Sequence, residues 1–220
     1  MKIRTMWLVA VAVFLLAAIS TNAQGKFEVT PFVGYETGGN YPVNISSTTE
    51  LVSTLRVEPS LAFGAFLDYN LSENFQPEFM WNRNSTSYSA QDATTLLYHK
   101  AYNSNIDQFQ FGGLFMFRGS EYKLRPYAAA SLGFTHDSNS ALSGSTGITS
   151  NRTAFSFSLG GGVKYSISRH IGFRGDIRYL PTYGSSSTET YCDPFYGCYP
   201  ANVRNYLNRA SFLGGIIFKF

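Results

Sequence analysis

The C-terminal segment alternates in polarity with a period of two. Between Ala210 and Phe220 the even positions are apolar or glycine, whereas Ser211 and Lys219 occupy odd positions. A β-strand directs alternate side chains to opposite faces, so the apolar residues share one face. Several segments upstream repeat the pattern, with aromatic residues on one face and Gly, Ser, Gln or charged residues on the other. This pattern predicts a barrel with lipid outside and a small polar interior.

The N-terminus predicts export. Lys2 and Arg4 precede an apolar run from Trp7 to Ile19, and small or polar residues follow as far as Ala23. The apolar run is too short to cross a bilayer comfortably as a helix. We therefore expect residues 1–23 to be a secretory signal peptide for Sec-type export, cut after Ala23. Residues 24–220 are expected to form one outer-membrane β-barrel domain.

Composition agrees with a membrane barrel. Aromatic residues make up 16% of the chain, charged residues 14%, and there are 20 glycines. That balance is expected when aromatic girdles surround a narrow lumen. Signal-peptide removal takes away Lys2 and Arg4, which lowers the formal net charge of +3 by two units. Because no basic field, metal-binding spacing or nucleotide fingerprint occurs, we expect no nucleic-acid partner, no metal and no cofactor.

Eight segments with period-two alternation, bounded by turn residues, are candidate strands. They cover residues 26–37, 59–70, 75–88, 106–118, 124–136, 153–167, 171–183 and 207–220. Long connections rich in Ser, Thr, Asn and Gly, at 38–58, 89–105, 137–152 and 184–206, alternate with tight turns at 71–74, 119–123 and 168–170. Transmembrane barrels have short periplasmic turns and long extracellular loops. The sequence thus predicts an all-β fold, an eight-stranded antiparallel transmembrane β-barrel.

Charged residues fall on the face predicted to point inward. Eight strands leave an interior just wide enough for side chains to fill. Because buried ions must be paired, we interpret these residues as a salt-bridge network that fills the lumen, with an ion path or gate as the alternative. The predicted lumen residues are Glu28, Asp68, Glu78, Lys164, Arg174, Asp176, Arg178 and Lys219.

Glycine runs interrupt several of the predicted strands. Gly160 to Gly162, Gly112 with Gly113, and Gly214 with Gly215 all lie inside strand segments. A phosphate-binding loop would need a following helix, which these runs lack. They predict barrel kinks or places where a bulky neighbour passes close to the backbone.

Three segments resemble those of a known family. They run from Phe27 to Tyr35, from Arg125 to Phe134 and from Phe218 to Phe220, and they are similar to the small outer-membrane β-barrel family that includes OmpX and the barrel portion of OmpA. The resemblance implies insertion by the barrel assembly machinery, with Phe218 and Phe220 in its recognition signal. Because the sequence stops at Phe220, we expect no peptidoglycan-binding domain.

Two cysteines lie close together in the last long connection. In an exported protein, Cys192 and Cys198 predict a loop disulfide, with metal binding or free thiols as alternatives. The bridge would hold four aromatic residues in a compact exposed tip. Such residues can anchor a partner, or they can pack on one another or lie among lipid headgroups. They are Tyr191, Phe195, Tyr196 and Tyr199.

One short motif indicates a possible enzyme. His136-Asp137-Ser138-Asn139 resembles the His-x-Ser-Asn element of PagL-type lipid A deacylases, which are also eight-stranded barrels. His136 and Ser138 share one face of a strand, so base and nucleophile could meet. A fitting acidic third residue is missing from the run between Ser140 and Thr153. The motif therefore supports an alternative hypothesis only.

The favoured function is non-enzymatic. We expect a structural or adhesion-type protein whose loops bind a host, matrix or environmental surface ligand. We expect a monomer in the bacterial outer membrane, in contact with outer-membrane lipid including lipopolysaccharide. One alternative is the lipid A-modifying enzyme that uses His136 and Ser138. The other is a soluble ligand carrier of the lipocalin kind, which also has eight strands and an export signal.

Overall fold

The computed structural model describes residues 26–45, 52–92, 98–141, 151–183, 187–193, 197–203 and 206–220. The predicted signal peptide, residues 1–23, lies outside this range. In the part of the chain that the structure describes, no helix is long and apolar enough to cross a membrane. The same residues contain twelve β-strands.

Eight of these strands close into an antiparallel barrel in the order β1, β4, β5, β6, β7, β8, β9 and β12, with β12 pairing back onto β1. The predicted fold class is thereby confirmed. The barrel strands are β1 (Phe27–Glu36), β4 (Ser60–Tyr69), β5 (Phe75–Asp92), β6 (Tyr98–Met116), β7 (Leu124–Ala141), β8 (Asn151–Ser166), β9 (Ile171–Tyr183) and β12 (Tyr206–Lys219). The remaining four are β2 (Gly39–Ile45), β3 (Val52–Val57), β10 (Ser187–Asp193) and β11 (Gly197–Val203).

The two sides of the barrel wall differ in polarity as the alternation predicts. On the outside Leu61 is 77% exposed, Val33 69% and Phe111 67%. On the inside the charged residues Arg178 and Lys164 are only 1% and 2% exposed. Large apolar side chains this exposed would be costly in water but are stable against acyl chains. The barrel therefore has lipid around it and charge within it.

Short turns connect the strands at one end of the barrel, called the turn end here. They follow β4, β6 and β8, at the predicted positions. The Ser72 hydroxyl accepts a hydrogen bond from the Phe75 amide at 3.0 Å, and the Ser168 hydroxyl accepts one from the Ile171 amide at 3.1 Å. Serine hydroxyls that satisfy nearby amides stabilise such turns. The opposite end is called the loop end.

Much of the sequence predicted as long connections is in fact β-structure. The predicted connection 38–58 contains β2 and β3, and 184–206 contains β10 and β11. The other two are shortened because β5, β6, β7 and β8 extend into them. The predicted boundaries were wrong here for a physical reason. Beyond the membrane both faces of a strand meet water, so the apolar alternation that marks a strand disappears.

The four additional strands form a sheet at the loop end. Its order is β5, β3, β2, β11, β10, with β3 paired to the outer part of β5. The register of the β3–β5 pairing shifts between Val52 and Thr54, as at a β-bulge. The β2, β3, β10 and β11 strands are called the extracellular sheet below.

Candidate functional site

A network of ion pairs fills the lumen near the turn end. Seven of the eight charged residues predicted to face inward are buried in it: Glu28, Asp68, Glu78, Lys164, Arg174, Asp176 and Arg178. Lys219 is half-buried at the margin, where its Nζ donates to the Ser166 hydroxyl at 2.6 Å. These seven residues are called the lumen network.

Lys164 forms one centre of the lumen network. Its Nζ lies 2.7 Å from Glu28 Oε2 and 2.8 Å from Asp68 Oδ2. It also donates to Gln76 Oε1 at 2.7 Å. An ammonium group has three N–H donors, so all three have an acceptor in this arrangement. The lysine charge is both neutralised and hydrogen-bonded.

Arg174 forms the second centre. Its guanidinium contacts three carboxylates, those of Asp68 at 3.1 Å, Glu78 at 2.6 Å and Asp176 at 2.8 Å. Arg178 bridges the same Glu78 and Asp176 at 2.7 and 2.8 Å. A planar guanidinium with five donors suits this multiple bridging better than an ammonium group.

Tyr127 is hydrogen-bonded to the lumen network, and the sequence analysis did not predict it there. Its hydroxyl accepts from Arg174 Nε at 2.8 Å and donates to Asp176 Oδ2 at 2.5 Å. The ring fits because Gly162 lies opposite: a Cβ built at Gly162 would approach the Tyr127 hydroxyl oxygen to 2.6 Å. Gly162 thus marks the close passage of a bulky neighbour, one of the two interpretations of the glycine run.

A second ion pair lies towards the loop end. Arg209 Nη1 is 2.8 Å from Glu36 Oε2, and both side chains are buried. The Asn82 and Asn84 amides also donate to the Glu36 carboxylate. Sequence reasoning missed this pair, although parity alone contains the signal. Glu36 has the same parity as Glu28 on β1, and Arg209 has that of Lys219 on β12.

A buried apolar cluster, called the apolar layer, lies between the two ionic regions on the side of the lumen formed by β9, β12, β1, β4 and β5. On the opposite side, Gln110, which pairs with Met80, accepts a hydrogen bond from Ser131. Along β1, Phe32 lies between Glu28 and Glu36, and along β12, Leu213 lies between Arg209 and Lys219. The buried apolar cluster consists of Phe32, Ala62, Phe66, Met80, Leu180 and Leu213. The expected polar interior is therefore only part of the lumen. Both an apolar layer and paired charges oppose the passage of a hydrated ion.

Phe66 joins the apolar layer to the lumen network. Its ring centroid is 4.5 Å from that of Phe32 and 3.7 Å from the Arg174 guanidinium carbon. Arg178 lies over the same ring at 4.9 Å. Desolvated cation–π contacts of this kind are favourable. The network and the apolar layer therefore pack as one continuous filling.

The predicted His136 and Ser138 lie on the outer face of β7, towards the loop end. His136 Nδ1 and Thr153 Oγ1 share a hydrogen bond, 2.9 Å apart. Asp107 is the cross-strand partner of His136 in the register, but its carboxylate accepts from Arg83 at 2.6 Å and from Trp81 Nε1 at 3.3 Å. Asp107, His136 and Ser138 thus lie on the same face of the barrel. Asp107 and His136, however, are hydrogen-bonded to other residues and not to each other.

The loop cysteines lie on neighbouring strands. The register pairs Cys192 directly with Cys198, and Tyr191 with Tyr199, across the antiparallel β10–β11 hairpin. Directly paired residues in such a hairpin have Cα atoms about 4.5–5.5 Å apart, within the range that a disulfide spans. Phe195 and Tyr196 lie outside the described residues. The predicted disulfide and the contact aromatics remain predictions.

The predicted assembly residues end the barrel. Phe218 points outward and is 39% exposed. The Phe220 amide donates to the Phe27 carbonyl at 2.9 Å, which ties the C-terminus to the start of β1.

Among the residues that the structure describes, no group of three or more His, Cys, Asp or Glu could hold a metal ion.

A closed barrel with a lipid-compatible wall and a filled, charged lumen defines a membrane-spanning β-barrel protein. The family model of the outer membrane protein beta-barrel domain matches residues 9–194. The chain belongs to this family, and the bacterial outer membrane is its location. The predicted family and location are confirmed, and the alternative of a soluble carrier is wrong.

Solved outer-membrane proteins have similar structures. OprG from Pseudomonas aeruginosa matches with a TM-score of 0.63 at 12% identity, over 89% of this chain and 96% of OprG. AlkL, solved in lipid bilayers, matches with 0.58 at 15% identity, over 91% and 93%. Neisserial surface protein A matches with 0.51 at 14% identity, over 88% and 97%. These identities show the fold alone. Comparison with curated proteins finds no match.

Proposed function

We propose that this protein is a non-enzymatic, non-conducting outer-membrane barrel that acts at the cell surface through its extracellular sheet. The filled lumen carries the proposal. Four carboxylates and three bases interlock in the lumen network, and the apolar layer lies above them. A barrel filled in this way supports a structural or adhesion-type function rather than transport.

The extracellular sheet supports a binding function. The pairing of β10, β11, β2 and β3 continues the barrel wall beyond the membrane through β5. Binding groups are commonly carried on connections that a rigid scaffold positions. Here the scaffold extends into the connections themselves, so a surface ligand would meet ordered strands. Ligand classes consistent with the proposal are host, matrix or environmental surfaces.

The lumen network predicts negligible conductance. Purified protein inserted in planar bilayers should give no steady single-channel openings, because ion entry would require breaking several buried salt bridges. Heat-modifiable migration of the protein recovered from vesicles of the same lipid verifies that it is folded and inserted. Steady nanosiemens openings of the unmodified protein would contradict the proposal.

The surface function predicts that the β10–β11 hairpin is needed for attachment. Cells that express a variant with residues 187–203 replaced by a short turn should attach less to matrix-coated surfaces. The barrel should still show heat-modifiable migration, because β9 and β12 remain paired along their whole length. Replacement of the short turn between Ser168 and His170 at the turn end provides the control. Equal attachment by all three strains would refute a ligand site on this hairpin.

We propose a disulfide between Cys192 and Cys198 within that hairpin. Their direct pairing supports it, and an exported protein meets an oxidising environment. Mass spectrometry should find both thiols protected from alkylation until a reductant is added. Alkylation of both residues without reductant would rule out the bridge. The bridge would hold Tyr191 and Tyr199 close to the hairpin tip.

Biogenesis is proposed to follow the route that the sequence features indicate. Residues 1–23 would direct export and be removed, and the barrel assembly machinery would recognise the C-terminal strand through Phe218 and Phe220. We propose a monomer in contact with outer-membrane lipid. Substitution of Phe220 by Ala should lower the folded amount in outer membranes, and an unchanged amount would exclude it from the signal.

The second candidate function is lipid A deacylation. The placement of His136, Ser138 and Asp107 on one lipid-facing surface favours it. The contacts of His136 with Thr153 and of Asp107 with Arg83 favour the non-enzymatic alternative. Lipid A should keep the same mass in cells with the natural protein and with Ser138→Ala. A loss of one acyl chain that requires Ser138 would establish the enzyme instead.

A further inference from the structure

A row of polar residues crosses four strands on the outer wall of the barrel. The register pairs Arg83 on β5 with Asp107 on β6, Asp107 with His136 on β7, and His136 with Thr153 on β8. All four side chains lie on the outward faces of their strands. They are called the polar row. Two pairs within the row are hydrogen-bonded: Arg83 with Asp107 at 2.6 Å, and His136 with Thr153 at 2.9 Å.

A row of aromatic residues lies directly below the polar row, two residues nearer the turn end on each strand. It pairs Trp81 with Phe109, Phe109 with Phe134 and Phe134 with Phe155. The Phe109 and Phe134 rings are stacked with centroids 5.1 Å apart. Trp81 joins the two rows, because its Nε1 donates to Asp107 Oδ1 at 3.3 Å. Aromatic residues with a polar partner are typical of a membrane–water boundary.

The strand geometry places the polar row at the outer boundary of the membrane. On β6, Asp107 lies ten residues from Phe117, an exposed aromatic residue that follows the strand at the turn end. At about 3.3 Å per residue and a tilt of about 40°, this is roughly 25 Å along the membrane normal. The apolar band of such barrels is about 25 Å tall. The polar row therefore meets the headgroups of the outer leaflet.

The polar row offers groups that a phosphorylated sugar can use. The Arg83 side chain is 45% exposed, and a guanidinium has five N–H donors, of which Asp107 needs only part. The imidazole of His136 and the hydroxyl of the exposed Thr153 can exchange hydrogen bonds with sugar hydroxyls. Guanidinium groups recognise phosphate well because of their planar donor geometry.

We propose that the polar row binds the phosphorylated sugar headgroup of an outer-leaflet glycolipid. Arg83 contacts the phosphate, held in position by Asp107 and Trp81. His136 and Thr153 contact sugar hydroxyls. The acyl chains of the same lipid lie on Phe109, Phe134 and the other aromatic residues below. The polar row is separate from the extracellular sheet. The glycolipid proposal and the proposed surface-binding function can therefore be tested independently.

Trp81 provides a direct measurement of binding. The sequence has two tryptophans, and the other, Trp7, belongs to the predicted signal peptide. Diphosphorylated lipid A, added to the purified detergent-solubilised protein, should change the Trp81 fluorescence with saturation. Dephosphorylated lipid A should require about tenfold more for half-saturation, because it lacks the charge-assisted contact. Inorganic phosphate alone should leave the fluorescence unchanged, because it has no acyl chains.

The matched variants change the polar row while keeping Trp81. Arg83→Gln combined with Asp107→Asn removes both charges, so it should raise the lipid concentration at half-saturation about tenfold. The amide oxygen introduced by Asp107→Asn still provides an acceptor for Trp81. Asn208→Ala changes another outward polar residue, the acceptor of a hydrogen bond from Tyr179, and should leave half-saturation within twofold. Heat-modifiable migration verifies that each variant is folded. Equal binding of both lipids, unchanged binding by the double variant, or an equal response to inorganic phosphate would overturn the proposal.

Discussion

Replacement of Arg174 by Met is expected to destabilise the barrel by about 3–5 kcal/mol, the usual cost of leaving buried charges without their partner. Arg174 contacts the carboxylates of Asp68, Glu78 and Asp176. Without it, Asp68 keeps Lys164, whereas Glu78 and Asp176 share Arg178 as their cation, and Asp176 also keeps the Tyr127 hydroxyl. Met fills a similar volume, so the loss reports charge rather than a cavity.

The measurement is the free energy of unfolding in urea, made in lipid vesicles for the natural protein and the variant. Arg83→Met is the matched control, because its salt bridge with Asp107 is partly exposed. A pair of that kind contributes about 0–1 kcal/mol. Glu78→Gln in the Arg174→Met background should recover part of the loss, because it removes one of the two carboxylates that then share Arg178. Equal effects of Arg174→Met and Arg83→Met would show that the lumen network does not stabilise the fold.

Residue parity is enough to predict most of the charged lumen. Once a strand is recognised, the side of each residue follows from whether its number is odd or even. This logic places Lys164 and Arg174 inside, and both are buried in the structure. It cannot tell which charges pair, because the contact of Lys164 with Glu28 joins residues far apart in the sequence. Pairing depends on the stagger of the closed barrel, which no single strand encodes.

The apolar layer shows a different limit of sequence analysis. Phe32 and Phe66 look like lipid-facing residues by type, but their parity directs them inward. A barrel interior can accept them where glycines opposite leave room, as Gly64 does for Phe32. At the loop end, sequence analysis fails for another reason. Strands surrounded by water lack the apolar alternation by which strands are recognised. The β10–β11 hairpin was therefore missed, although its cysteines were recognised.

Gly64→Ala is expected to destabilise the barrel by about 1–3 kcal/mol, the usual cost of overfilling a packed interior. A Cβ built at Gly64 would lie 2.7 Å from the Phe32 ring and 2.9 Å from the Asn82 Cα, and it would also meet the Trp81 carbonyl oxygen. The ring can move slightly, but the β5 backbone is held by its pairing with β4 and β6. One methyl group must therefore displace a strand.

Gly214→Ala separates this steric effect from the general effect of glycine in a strand. Gly214 faces outward, and a Cβ built there meets nothing within 4 Å. Replacement of a strand glycine by alanine reduces the entropy lost on folding by about 0.5–1 kcal/mol, so Gly214→Ala should be neutral or slightly stabilising. Both variants are measured by urea unfolding beside the natural protein. If Gly64→Ala also left the free energy of unfolding unchanged, the lumen around Phe32 would not be closely packed, contrary to our description.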